Sequence, residues 1–201
     1  MSTAPSAADV KMLREKTGVG IMECKSALSE AAGDFEKAVE ILRKKGIAVA
    51  EKKSSRATKE GAIASYIHMG GKIGVMVEIG CKTDFVAKND DFKEFSKNIA
   101  MHIAAASPLY LTRDDVPAEY IAKEKEIFSE QIKDKPANII EKIVEGKVDK
   151  MMEDICLLDQ KYVKDDKQTI KEYVTATIAR IGENIVIRRF VKYTLGEEIK
   201  K

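Results

Sequence analysis

The sequence contains no tryptophan, four prolines, two histidines and three cysteines in 201 residues, and each scarcity excludes something. Cys24, Cys81 and Cys156 are far apart, odd in number and without CxxC spacing, so neither a disulfide scaffold nor a thiolate zinc knuckle is expected. They read as buried thiols of a reducing compartment. His68 and His102 are also far apart and lack a metal-ligand motif, which leaves no candidate metal centre. Charge of one sign is missing too. With 35 basic and 33 acidic residues the net charge is +2, too small a field to draw the chain to nucleic acid or an anionic membrane. No apolar run approaches the roughly 20 residues of a membrane span, and MSTAPSAADV lacks the basic start and apolar stretch of a secretory signal. The cytoplasm is the expected compartment. GxSxG, HExxH, GxxxxGK[ST] and GxGxxG do not occur, and TGVG joins two helices with no strand before it, so a phosphate cradle is not expected. No carboxylate pair stands out as an acid–base couple. An enzyme would require residues that converge only in three dimensions, and the chain is read as a protein without covalent chemistry, cofactor, metal or bound nucleotide of its own.

What is present is a helix-rich, heavily charged globular composition, 44% hydrophobic and 34% charged, on a chain long enough for a core without staples. Val10 and Leu13 open a first helix that LREKTGVG closes. Ile21, Cys24 and Leu28 share one face of a second. In GDFEKAVEILRKKG, Asp34 is the expected N-cap, Phe35, Ala38, Val39 and Leu42 form the apolar stripe, and Gly46 is read as the stop. Residues 1–48 are thus expected to form a three-helix module. Residues 49–60, ending in Lys, Ser, Arg and Thr, are read as a linker, and 61–201 as a core.

That core opens with alternation. Ile73, Val75, Val77 and Ile79 predict a half-buried strand, which GAIASYIH pairs through a turn at Met69-Gly70-Gly71. A helix over 91–106 carries Phe92, Phe95, Ile99 and Ile103. Pro117 and Pro136 start two more helices, with Tyr120, Ile121, Ile127 and Phe128 expected inward on the first and Ile140, Val144, Val148, Met151 and Ile155 in step on the second. IGENIVIRRFVKYTLGE returns to period two. The fold class is α+β, with helices segregated from an antiparallel sheet.

CKTDFVAKNDDF is the stretch that composition does not explain. Phe85 stands among charges and small residues between a strand and a helix. On the residues alone a core phenylalanine capping the sheet is favoured, since most phenylalanines are buried. A resemblance changes that expectation. LREKTGVGIMECKSAL with GDFEKAVEILRKKG resembles the ubiquitin-associated-type N-terminal module of the elongation factor Ts family, and TDFVAKNDDF resembles its core signature. HMGGKIGVMVEIGC, IAMHIAAASP and IGENIVIRRF extend the similarity along almost the whole chain in the family's order.

The resemblance implies guanine-nucleotide exchange on elongation factor Tu, the GTPase that delivers aminoacyl-tRNA. It implies that Thr83, Asp84, Phe85 and Val86 press on the GTPase domain near its Mg²⁺ site and loosen the phosphate loop. Arg14, Ile21 and Met22 are implied as the docking residues of the N-terminal module; the family often has Met where this chain has Ile21, an apolar replacement of similar volume. The His68-Met69-Gly70 turn is implied to lie on the nucleotide side of the partner. The chain ends soon after its last strand, where longer relatives continue into a further module, so a homodimer through the core is expected to complete the surface. A rival reading from the residues is a nucleic-acid or ribosome-binding module using Lys44-Lys45, Lys52-Lys53 and Arg188-Arg189.

Overall fold

The computed structural model describes residues 5–54, 57–133 and 136–198. The elements run α1 (Ala7–Thr17), α2 (Ile21–Glu30), α3 (Phe35–Ser54), β1 (Glu60–Ile67), β2 (Ile73–Cys81), α4 (Asp84–Ala87), α5 (Asp90–Ala106), α6 (Ala118–Glu130), α7 (Ala137–Ile155), β3 (Lys161–Tyr162), β4 (Asp165–Thr169), α8 (Ile170–Ile181) and β5 (Ile185–Thr194). The fold is α+β, with the N-terminal helices preceding the sheet. Two compact units emerge from it. One comprises the chain up to Ala62 with Gly80–Phe95 and Val174–Val186; the other comprises Ile63–Ile79, Ser96–Tyr173 and the chain from Ile187.

The first unit contains the three-helix bundle. Ser6 accepts the Asp9 amide at 3.1 Å to start α1, and Gly18, at φ +67, ends it by donating its N–H to the Arg14 carbonyl. Asp34 caps α3 as expected: its carboxylate accepts the Lys37 amide at 3.0 Å, and that bond holds its pKa below the usual carboxylate value. Leu13, Cys24, Ala27, Leu28, Ala38 and Leu42 make the buried core. Ile21, expected on the face of Cys24 and Leu28, is instead 53% exposed, because it opens α2 and overhangs that core.

Gly46 does not stop α3. The helix continues to Ser54, so the first part of the segment read as a linker is helical. Residues 57–59 have no regular structure, and Ser55 and Arg56 lie outside the described residues. A β-carbon at Gly46 would stand 3.4 Å from that of Ala179 on α8, an ordinary contact, so this buried glycine lies inside the helix beside α8 rather than ending it.

In the sheet the strand order is β1-β2-β5. β1 and β2 form the expected hairpin: His68 donates its N–H to the Ile73 carbonyl at 2.9 Å and accepts from Gly71 at 2.9 Å. Gly70, at φ 82 and ψ 2, has the dihedrals of the third residue of a type II turn. Val75, Val77 and Ile79 are buried, as are Phe92, Phe95, Ile99 and Ile103 along α5. β5 runs antiparallel to β2, with Leu195 donating to the Lys72 carbonyl at 2.8 Å and both Arg188 and Arg189 reaching Glu78 at 3.2 and 2.7 Å.

α6 and α7 form a helical hairpin whose base packs Val116, Tyr120, Ile121, Val148, Met152 and Cys156 together. Ile127, expected inward, is 40% exposed, because a two-helix hairpin covers one side of each helix. Pro117 and Pro136 sit at the N-caps, one place before the expected first turn. The short β3–β4 pair and α8 were not among the elements expected from sequence. α8 nevertheless has a reciprocal capping box, with Glu172 N–H donating to Thr169 Oγ1 at 3.2 Å and Thr169 N–H to Glu172 Oε2 at 2.9 Å.

His102 is fully buried. Val163 donates its amide to Nδ1 at 3.3 Å, so Nε2 carries the proton and donates to Gln160 Oε1 at 3.0 Å. Gln160 in turn donates to the Asp154 carbonyl at 2.6 Å. Burial lowers the imidazole pKa, with the bond to Gln160 acting the other way. A depressed folded pKa favours the neutral ring. The stability it confers is complete above the unfolded value of about 6.5 and is lost as pH falls below it. The melting temperature is expected to fall more between about pH 7.5 and about pH 5.5 in the native protein than in His102→Gln. Equal falls in the two proteins would assign the acid sensitivity elsewhere.

Candidate partner-binding surface

β2 ends at Cys81, whose thiol donates to the Thr83 carbonyl at 3.1 Å and whose pKa is raised by burial. Thr83 is extended and caps α4, its hydroxyl accepting the Val86 amide at 3.4 Å. α4 is a single turn. Val86 turns inward and is buried, while Phe85 is 79% exposed, which overturns the reading of Phe85 as a core residue capping the sheet. The physical reason is the turn itself: neighbours in one helical turn point about 100° apart, so seating Val86 points Phe85 outward. Asp84 lies beside it, paired with Lys88 at 2.8 Å; that hydrogen bond lowers its carboxyl pKa. Asn89 then accepts the Asp91 amide at 2.8 Å and starts α5.

Thr83 has a second partner. Glu183 Oε1 accepts its hydroxyl at 2.9 Å and Oε2 its amide at 3.2 Å. Glu183 was not among the residues singled out from sequence, and a contact between residues 100 apart in the chain leaves no local pattern by which to find it.

In the same compact unit, Arg14, Ile21 and Met22 are all exposed, Met22 at 70%, on the end of α1 and the start of α2. Met12 is exposed nearby on α1 and carried no sequence expectation. His68 and Gly70 belong to the other unit and are exposed, with His68 Nδ1 3.1 Å from the Tyr66 hydroxyl; of Met69 the backbone position in the turn is described. Among the described residues no cluster of His, Cys, Asp or Glu could hold a metal ion, and no helix is long and apolar enough to cross a membrane. All three cysteines are free and buried.

The sequence model of the family described as Elongation factor TS matches residues 23–197. The chain belongs to the elongation factor Ts family. Curated relatives agree over nearly full length. Elongation factor Ts of Fervidobacterium nodosum is 60% identical over 194 residues, 96% of this chain and 98% of that protein. Elongation factor Ts of Thermotoga maritima is 58% identical over 188 residues, 94% of each chain. Elongation factor Ts of Geobacter metallireducens is 57% identical over 198 residues, 98% of this chain and 92% of that protein. The family match contains Thr83 to Val86 and the His68 turn, whereas Arg14, Ile21 and Met22 precede it and are reached by the longer pairwise similarities.

Proposed function

We propose that this chain is the cytoplasmic nucleotide exchange factor of elongation factor Tu, acting through two contacts on the GTPase domain. Asp84 and Phe85 press beside the Mg²⁺ and phosphate site, while Arg14, Ile21 and Met22 hold the same domain through a bundle of ubiquitin-associated type. The observation that carries the reading is Phe85 itself, a large apolar ring left 79% exposed on a turn whose neighbouring residues are anchored. Exposing such a ring in the free protein is unfavourable, and covering it on a partner returns roughly 1.5–3 kcal/mol.

The exchange factor accelerates release only by binding the open, nucleotide-poor state of the GTPase better than the closed one. Linkage makes this reciprocal, so entering nucleotide and Mg²⁺ dismantle the complex. Inverting a strongly biased equilibrium takes about 5.5 kcal/mol, more than one ring supplies, and the bundle provides the second grip. The His68-Met69-Gly70 turn is a third contact in this reading. Mixing the protein with elongation factor Tu carrying a fluorescent GDP analogue tests it: nucleotide release accelerates, and an unchanged rate sinks the proposal.

A homodimer through the core completes the partner surface in the same reading. Ile67 lies against Gly74, and Met76 and Glu78 follow on that face of β2, opposite buried Val75 and Val77. Ile63, Ile67, Met76, Val191 and Tyr193 are exposed apolar side chains of the three strands, and Arg188 and Arg189 neutralise Glu78 among them. Such a face suits a second copy of itself. Sedimentation velocity is expected to give a particle of twice 22.3 kDa that Met76→Lys converts to a monomer; a monomeric native protein at tens of micromolar would reject it.

The nucleic-acid reading loses ground on charge. Lys44 pairs with Glu40 at 3.0 Å, Lys45 with Glu30 at 2.6 Å, and Arg188 and Arg189 with Glu78. Lys44 and Lys45 each face a carboxylate and the two arginines share one, so few unpaired charges remain at these positions to release counterions on a phosphate backbone.

A further inference from the structure

The exchange reading needs two contacts, the bundle and the Phe85 turn, presented to one partner at once. Glu183 is where the chain ties them together. Its carboxylate receives both the hydroxyl and the amide of Thr83, the residue that caps the turn carrying Phe85. The residues on either side of it hold the end of α3. Lys53 Nζ donates to the Gly182 carbonyl at 2.6 Å, and Asn184 Nδ2 donates to the Ser54 carbonyl at 3.3 Å. Arg180, just before, stacks its side chain on the loop after α1: a β-carbon on Gly18 would come 2.7 Å from Arg180 Cδ. Its guanidinium lies 3.9 Å from the Asp91 carboxylate at the start of α5.

We propose that Gly182-Glu183-Asn184 is a bracket between the bundle and the Phe85 turn, and that Glu183 is a positioning residue for exchange. The inference rests on the proposed function. Two hydrogen bonds from one residue to one carboxylate are charge-assisted and directional. They fix the backbone at Thr83, hence the start of α4, and hence the direction of the ring. A wedge free to swing would give up part of its binding energy to ordering whenever it met the partner. A wedge held against α3 arrives already oriented to the bundle. The segment at the end of α3, which reads as a linker in sequence, is in this view half of a rigid joint.

The test is GDP release from elongation factor Tu measured over a range of exchange-factor concentration. Glu183→Ala is expected to lower the maximal rate about tenfold or more while moving the half-saturating concentration less than about threefold, because the bundle contact survives and the wedge is disoriented. Glu183→Gln is expected to recover the rate to within about threefold of native, since its amide oxygen still accepts from Thr83. Thr83→Val is expected to reproduce the loss, and the double variant to add little to it. Should Glu183→Ala fold poorly, the bulkier Glu183→Met, which offers Thr83 no oxygen acceptor, reads the same coupling by amide hydrogen exchange, with faster exchange at the Thr83 amide expected than in the native protein or Glu183→Gln. A native maximal rate in Glu183→Ala overturns the proposal, as does a loss that Glu183→Gln does not recover or fully additive effects of the two single changes. Failure of the exchange reading looks different: the native protein then accelerates nothing, and protection of the Thr83 amide, lost in Glu183→Met and kept in Glu183→Gln, decides whether the bracket exists.

Discussion

Phe85→Ala is expected to lower the maximal rate of GDP release from elongation factor Tu by about 10- to 100-fold while leaving the melting temperature of the free protein in place. Removing a ring that the proposed function buries on the partner forfeits roughly 1.5–3 kcal/mol, and each 1.36 kcal/mol is about a factor of ten. Phe85 is 79% exposed in the free protein, so its removal opens no cavity, and surface changes of this kind stay within about 0.5 kcal/mol of neutral. The neighbouring Val86 is the internal control. It is buried, so Val86→Ala should lower stability before it touches exchange. Stopped-flow release of a fluorescent GDP analogue together with thermal unfolding separates the two effects; an unchanged rate in Phe85→Ala would remove this residue from the mechanism.

Leu28→Ala is expected to destabilise the first unit by about 2–5 kcal/mol, the largest stability loss foreseen for a single substitution here. Leu28 is fully buried among Leu13, Cys24, Ala38 and Leu42. The bundle core has few other buried residues, so the cavity has little surrounding structure that can collapse into it. Urea unfolding should show an earlier first transition. Because Ile21 and Met22 ride on the same helix, the proposed function expects the half-saturating concentration in exchange to rise while the maximal rate, which it assigns to the Phe85 turn, falls less. A normal urea midpoint would mean that the bundle core carries less of the stability than its burial indicates.

The chain patterns that were legible share a cause: each was local. Alternation at Ile73 to Ile79, the stripe Phe92, Phe95, Ile99 and Ile103, the Asp34 cap and the glycines of the His68 turn all express a period or a backbone requirement within a few residues. Departures came where a distant partner overrode the local signal. Gly46 looks like a helix stop beside two lysines, yet α3 runs on to Ser54, where Lys53 and Ser54 bond to Gly182 and Asn184 far along the chain. Ile21 keeps helical step with buried Cys24 and Leu28 but opens its helix, and Ile127 lies on α6, where no residue is fully buried. Phe85, apolar and flanked by structured segments, looks like core; seating Val86 in a one-turn helix sends it outward.

The sequence by itself determined the α+β class, most of the regular elements, the lack of a metal-ligand motif and, through TDFVAKNDDF and the segments around it, membership of the elongation factor Ts family. Only the tertiary structure decided that Phe85 is presented to solvent and that Thr83 beneath it is gripped by Glu183. A carboxylate and its hydroxyl partner separated by 100 residues obey no periodicity. Their pairing is set by where α8 and β5 bring the chain back, and that is a property of the packed fold.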